Sequence, residues 1–326
     1  MKPAILMALI ALIVPFSAAF AQVERWKSEG WKTDFSKTNI QLSEVMSGGP
    51  PRDGIPPIDD PKFIDVAAVT DLADQDPVIG LVINGDARAY PLRIMTWHEI
   101  VNDKVGGTPV AVTYCPLCNA AIVFDAHVNG KELTFGTTGK LRKSDLIMYD
   151  RATNSWWQQF VGESIAGTYT GQKLALVPVR LESWKEFRQR HPQGKVLVPN
   201  NADLRDYGRN PYENYDISAR PFLYSGSMPD GIEPMSRVVV VRRGNEQPLI
   251  LSLELLRRSS SLKMDGYQLN WVAGQASALH DRTITNGRDV GTVTVLRESD
   301  GKHVPYDVTF AFVAHAFHPE IPIKQQ

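Results

Sequence analysis

The chain has 326 residues, 43% hydrophobic and 22% charged, with a formal net charge of −1. That length allows one large domain or two of ordinary size around a sizeable core. The near-neutral balance, with no basic block, excludes nucleic acid as the main partner, because phosphate binding needs clustered lysine and arginine.

Residues 1–22 read as a secretory signal peptide. Lys2 supplies the positive start, residues 5–16 the apolar stretch, and Ala19-Phe20-Ala21 an A-x-A cleavage site ahead of Gln22. The apolar run is shorter than the roughly 20 residues of a spanning helix, and no later segment is apolar enough to span a bilayer. The mature protein is expected to be soluble and periplasmic or secreted. Residues 23–61 form a Pro/Gly-rich N-terminal arm expected to lie over the body. Gly48-Gly49-Pro50-Pro51 and Ile55-Pro56-Pro57-Ile58 continue neither a helix nor an inner strand.

Residues 78–83 and 87–90 predict a hairpin closed at Asn84-Gly85. Residues 91–101 predict a short helix, and 109–114 an apolar strand that leads into Cys115-Pro116-Leu117-Cys118. Residues 121–124 and 133–135 read as strands about a turn at Asn129-Gly130. Gly139-Lys140 lacks the G-x-x-x-x-G-K-[ST] frame of a phosphate loop, which excludes nucleotide binding. Lys140, Arg142, Lys143, Ser144, Asp145, Asp150 and Arg151 crowd one segment. It reads either as a solvated loop with internal ion pairs or as a polar wall beside the cysteines for an anionic substrate. Trp156-Trp157-Gln158-Gln159 and residues 205–212 suit either ligand-contact loops or a lid packed on the core. Residues 184–190 predict a helix that stops at His191-Pro192.

Setting Pro77 on Pro234 also sets residues 81–83 on 238–240 and Pro91-Leu92 on Pro248-Leu249, with helical text next in both copies. In this register His98 falls on Leu255, and an N-G turn follows at Asn286-Gly287. The fold expected is α+β and mainly β, in two pseudo-repeated strand-rich halves with short helices. The first half, 62–231, carries the C-x-x-C; the second, 232–326, has no cysteine.

Cys115 and Cys118 are the only two cysteines, too few for a disulfide scaffold. A thioredoxin-type redox pair needs a helix after the second cysteine. Residues 119–125 read as a strand instead. A metal knuckle suits C-P-x-C better, with Asn119 at the position that needs a positive φ. One knuckle supplies two ligands, so others must come from elsewhere. His98 is the first candidate; Met148 and His318 follow, with His315 and His127 as weaker ones. Thiolate with imidazole suits zinc or copper, and a thioether tips the balance toward copper, which we place ahead of zinc. Two further readings stay open: a periplasmic thiol–disulfide oxidoreductase using Cys115 as attacking thiolate, and a non-catalytic binding module in which the pair braces a turn. No Ser-His-Asp order or G-x-S-x-G elbow supports a hydrolase.

Asn84-Gly85-Asp86-Ala87-Arg88-Ala89-Tyr90-Pro91-Leu92, Trp97-His98-Glu99-Ile100-Val101-Asn102-Asp103 and Thr113-Tyr114-Cys115-Pro116-Leu117-Cys118 together carry a resemblance. So do Ser144-Asp145-Leu146, Met148-Tyr149-Asp150-Arg151, Arg205-Asp206-Tyr207-Gly208 and Phe317-His318-Pro319. The chain resembles the bacterial exported family known as domain of unknown function 3179, over about residues 60–320. The resemblance implies no activity. It does place His98, Cys115, Cys118, Ser144, Asp145, Met148, Asp150, Arg151 and His318 inside its motifs. Asn119, Lys143 and His315 depart from its usual pattern.

Overall fold

The computed structural model of the protein describes residues 14–326. Residues 1–13 of the expected signal peptide therefore lie outside the described residues. Helix α1 (Val14–Ser28) runs through the expected cleavage site. Phe20 on it is exposed, whereas Trp26 is buried. Gln22 donates from Nε2 to the Val45 carbonyl at 2.7 Å.

Strands β1 (Val45–Ser47) and β2 (Lys62–Asp65) come next. They lead to β3 (Pro77–Ile83), β4 (Asp86–Pro91), α2 (Leu92–His98), β5 (Ile100–Val105), β6 (Thr108–Cys115) and β7 (Ala120–Asp125). β8 (His127–Val128) and β9 (Lys131–Glu132) close a small hairpin at Asn129-Gly130. Then come β10 (Phe135–Arg142), β11 (Asp145–Asp150), β12 (Trp156–Gln158), β13 (Glu163–Ala166), β14 (Leu176–Val177), β15 (Val179–Ser183), α3 (Trp184–Arg190) and β16 (Lys195–Val198). The last part holds β17 (Arg237–Val241), β18 (Leu249–Ser252), α4 (Leu253–Ser259), β19 (Ser261–Met264), β20 (Tyr267–Val272), β21 (Thr292–Arg297), β22 (Tyr306–Phe310) and α5 (Ala311–Phe317). The protein is mainly β, with short helices.

Three sheets build the larger part: β1-β10-β11-β12-β13, β14-β7-β6-β5 and β15-β3-β4-β16-β2. Two smaller ones, β18-β17-β22 and β19-β20-β21, build the rest. The β3–β4 hairpin turns where expected, with Asn84 at φ 50° and Gly85 at φ 82°, the signs a tight two-residue turn demands.

The order of elements occurs twice. β3-β4-α2-β5-β6-β7 is matched by β17-β18-α4-β19-β20-β21, and β15-α3 by β22-α5. The sheet orders agree, since β15 flanks β3 as β22 flanks β17. α2 and α4 both end on a left-handed residue, Glu99 at φ 58° and Ser260 at φ 57°. α3 and α5 both end on a His-Pro pair, His191-Pro192 and His318-Pro319. This register corrects the one read from the sequence: Leu92 matches Leu253, and His98 matches Ser259, not Leu255. Asn286-Gly287 closes a single 3-10 turn over Ile284–Asn286.

Three other expectations change. The arm is part of the core: Trp26, Trp31, Phe35 and Val45 pack with Ile147, Tyr149 and Trp156. Aromatic side chains override the loop-like text around them, because each buries a large apolar area. The charged segment 140–151 is no solvated loop; it forms most of the antiparallel pair β10–β11. Gly139 sits at the bulge in β10 with φ 68°, where an added Cβ would meet the Pro50 carbonyl at 2.0 Å. That close passage of the arm accounts for a glycine that superficially suited a phosphate loop. Finally, Trp156 and Trp157 are fully buried in β12 and meet no solvent-borne ligand.

The largest apolar cluster joins both parts of the chain. It contains Cys115, Cys118, Met148, Trp157 and Phe160 together with Leu279, Phe310 and Phe312. The cysteines thus sit in the core, covered by side chains from the second half.

Candidate metal centre

β6 is buried almost throughout and delivers Cys115 at its end. Pro116 then fixes φ and starts a single 3-10 turn, Pro116–Cys118. Asn119 follows in the left-handed region at φ 50°, ψ 36°, which Asn tolerates better than most residues. The turn is locked from several sides. The Tyr114 hydroxyl donates to Asn119 Oδ1 at 3.2 Å, and Asn119 Nδ2 donates to the Val308 carbonyl at 2.7 Å. Thr309 Oγ1 donates to the Cys118 carbonyl at 2.6 Å. β7 then returns along β6, with Ala120 opposite Cys115. No helix follows Cys118, as residues 119–125 predicted.

A second turn meets this one. Lys143 and Ser144 have φ of 56° and 65° and close the β10–β11 hairpin. The hairpin sets the Ser144 carbonyl and the Asp145 carboxyl against the sulfurs. Cys118 Sγ lies 3.3 Å from Asp145 Oδ1 and 3.6 Å from the Ser144 carbonyl; Cys115 Sγ lies 3.9 Å from that carbonyl. Asp145 is oriented by the Phe160 N–H at 2.8 Å and by Gln158 Nε2 at 2.6 Å, both donating to Oδ2. Both cysteines are free thiols. The donor atoms of Cys115, Cys118 and Asp145 all lie within 4.8 Å of one another, and all three residues are buried, so the group is able to hold a metal ion.

The electrostatics are those of crowded acids. Burial pushes the Cys115 thiol up, with Asp145 and Glu99 adding to the effect. Burial and Cys115 push Cys118 well above the usual thiol range. Burial lifts Asp145 to about 6, against the pull of the Phe160 N–H and Gln158. Burial, reinforced by Asp145, lifts Glu99 to about 8. Each group resists ionisation because it leaves water, and for Cys115, Cys118 and Glu99 neighbouring acids add to the effect.

His98 is not brought to the sulfurs. Its Nδ1–H donates to the Pro56 carbonyl at 2.7 Å, and its Nε2 accepts from the Tyr207 hydroxyl at 2.7 Å. Both ring nitrogens are therefore used, and the ring stacks on Tyr207 at 5.8 Å. Met148 is fully buried in the same apolar cluster as the cysteines, opposite Thr137 and Trp157 in the sheet. His318 ends α5 beside Phe160 and outside the Cys–Cys–Asp group; burial pushes it down to about 4. His127 pairs with Asp125 at 2.7 Å and His315 reaches Ser227 at 3.1 Å, both away from the group.

The expected polar wall divides. Ser144 and Asp145 belong to the site, Ser144 also donating from Oγ to the Phe222 carbonyl at 2.6 Å. Arg142 pairs with Glu44 at 2.8 Å and Arg151 with Asp59 at 2.6 Å. Asp150 caps its own turn, accepting from the Thr153 N–H at 2.6 Å and from Trp157 Nε1 at 3.0 Å. Residues 142, 150 and 151 are bound into the scaffold and line no cavity at the cysteines.

A cavity of about 600 Å³ opens onto Cys115. Glu99, Lys140 and Leu146 line it on one side; Tyr212, Tyr215 and Phe222 line the other. Lys140 is tied through Nζ to Glu29 at 2.6 Å. The segment over the cavity is anchored by Tyr207 on His98, by Phe222 on Ser144, and by the Tyr215 hydroxyl donating to the Leu117 carbonyl at 3.0 Å. Sequence reading missed Glu99. Its only signal was its place beside His98 at a helix end, and no sequence spacing links it to Cys115.

The site is a buried Cys–Cys–Asp group on a strand-rich scaffold. The chain belongs to the family described as Protein of unknown function (DUF3179), matched over residues 52–321. Neither a curated protein nor a solved structure matches it. Among the described residues, no helix is long and apolar enough to cross a membrane.

Proposed function

We propose that this is an exported metal-binding protein in which Cys115, Cys118 and Asp145 hold one ion. One observation carries the reading. Three acidic donors lie buried within 4.8 Å of one another, and among the described residues no lysine, arginine or histidine side chain hydrogen-bonds to any of them. Such a group is costly as bare anions, and a bound cation removes that cost by replacing the protons. The donor set is two sulfurs and one carboxylate oxygen. Zinc accepts that combination readily, whereas Cu(I) prefers sulfur alone. The arrangement therefore moves our preference from copper to zinc. Three protein donors with a cavity beyond Cys115 suit a metal that keeps one position for an exchangeable ligand.

Export is supported by the start of the chain, Lys2 through Ala21. The thiol–disulfide alternative has weaker support, because raised thiol pKa values disfavour the thiolate that must attack.

The test is elemental analysis of protein purified from a periplasm, with a free-thiol count on the same sample. We expect near-stoichiometric zinc or copper with both thiols protected. The double variant Cys115→Ser/Cys118→Ser should lose the metal, and Asp145→Asn should weaken it at least ~10-fold, the smallest loss usual even for a supporting partner. Undiminished metal in the double variant would sink the proposal. Metal-free protein with a reversible disulfide would assign the pair to thiol–disulfide exchange.

A further inference from the structure

The Cys–Cys–Asp group leaves one buried acid unused. Glu99 is 93% buried, from a relative exposure of 7%. Its backbone is fully engaged: the N–H donates to the Met95 carbonyl at 2.8 Å and the carbonyl accepts from the Tyr114 N–H at 2.8 Å. Its carboxyl, in contrast, has no hydrogen-bond partner among the described residues and lines the cavity. Its oxygens are open to the cavity, where a ligand is free to supply the missing partner. The residue is also held in the left-handed region, at φ 58° and ψ −30°. A non-glycine residue there is strained.

The remaining walls indicate what the carboxyl meets. Tyr212, Tyr215 and Phe222 present aromatic surface, and Leu117, Leu141 and Leu146 aliphatic surface. The one lysine in the lining is neutralised by Glu29. Arg220 and Glu213 are exposed residues of the lining and carry opposite charges. An acidic tip inside an aromatic box complements a cation on an apolar body: the carboxylate pairs with the charge and the rings add cation–π attraction. About 600 Å³ lies within the range of small-molecule pockets.

We propose that the cavity is a binding site for a small organic amine, with Glu99 receiving the ammonium group and Tyr212, Tyr215 and Phe222 enclosing the apolar part. The site shares its wall at Cys115 with the proposed metal centre but draws its charge recognition from Glu99, which the metal reading does not use.

The probe is benzylamine, titrated calorimetrically into the full mature protein at mildly alkaline pH, with benzyl alcohol and benzoate as neutral and anionic counterparts. Benzylamine should bind saturably and at least ~10-fold more tightly than either counterpart, the equivalent of about 1.4 kcal/mol. Glu99→Gln should abolish that preference while benzyl alcohol binds as before. Phe222→Ala, at a side chain 59% exposed, should weaken all amine binding. Protein stripped of metal with a chelator should still bind benzylamine, which separates failure of this proposal from failure of the metal site. Equal binding of benzoate, or full benzylamine affinity in Glu99→Gln, overturns it. Loss of metal from Glu99→Gln with no amine preference in the wild type would also overturn it and make Glu99 a ligand.

Discussion

One buried cluster of charge surrounds Cys118 and another surrounds Arg237, and of these two only the second pairs an acid with bases. Asp216 there accepts from Ser277 Oγ at 2.6 Å and from Arg288 at 3.2 Å, and faces Arg237 at 3.4 Å. Burial pushes Asp216 up, but Arg237, Ser277 and Arg288 more than reverse it, so its carboxyl lies below the usual range. Around Cys118 the signs do not cancel. Cys115, Cys118, Asp145 and Glu99 are all shifted toward their protonated forms. A balanced buried cluster is part of the scaffold. An unbalanced one is unfinished until a cation or protons complete it.

The contrast is built on matching frames. β6 and β20 occupy equivalent places, yet β6 passes to β7 through the tight Cys turn, while β20 passes to β21 through a long connection. That connection carries Ser277 and Arg288. Glu99 and Ser260 share one backbone conformation after matching helices. The same strained position holds an acid facing a cavity in one half and a small hydroxyl residue in the other.

Breaking the balanced cluster should have the largest effect. Asp216→Ala leaves Arg237 buried without its carboxylate and should cost about 3–5 kcal/mol, read from urea unfolding at neutral pH. No loss of stability would show that solvent reaches Arg237 and compensates its charge.

Relieving the unbalanced cluster should work in the opposite direction. The folded chain keeps the Glu99 proton up to about pH 8, against an ordinary value of 4.5. Its contribution to stability is therefore complete below about pH 4.5 and is lost as pH rises through 8. Metal-free Glu99→Gln lacks this loss. It should match the wild type in acid and exceed it increasingly as pH rises from about 4.5 toward 8, by at most about 1.4 kcal/mol per pH unit. Equal pH slopes in the two proteins would show that the carboxyl is solvated.

The smallest effect tests the frame itself. Ser260→Gly removes the Cβ from a left-handed helix end and should stabilise the protein by ~0.5–1 kcal/mol. A loss in thermal melting would mean that the serine side chain holds that turn.

Local features were legible in the sequence because short-range sterics decide them. Asn84-Gly85 and Asn129-Gly130 specify tight turns, Pro116 and Asn119 specify the Cys turn, and the β-branched run after Cys118 specifies a strand in place of a redox helix. The mainly β character and the twofold order of short elements followed from the same signals, although the weak alignment set the helices four residues out of register. Tertiary structure alone decided which acids share the core. Asp145 reaches Cys118 across 27 residues of chain, and Tyr207 occupies the His98 ring across 109. Those separations carry no periodicity, so nothing local distinguishes His98 engaged by a tyrosine from His98 facing a metal. The arm followed the same rule. Its glycines and prolines described its backbone correctly, but Trp26, Trp31 and Phe35 decided its place, because the apolar area they bury outweighs the loop-forming preference of their neighbours.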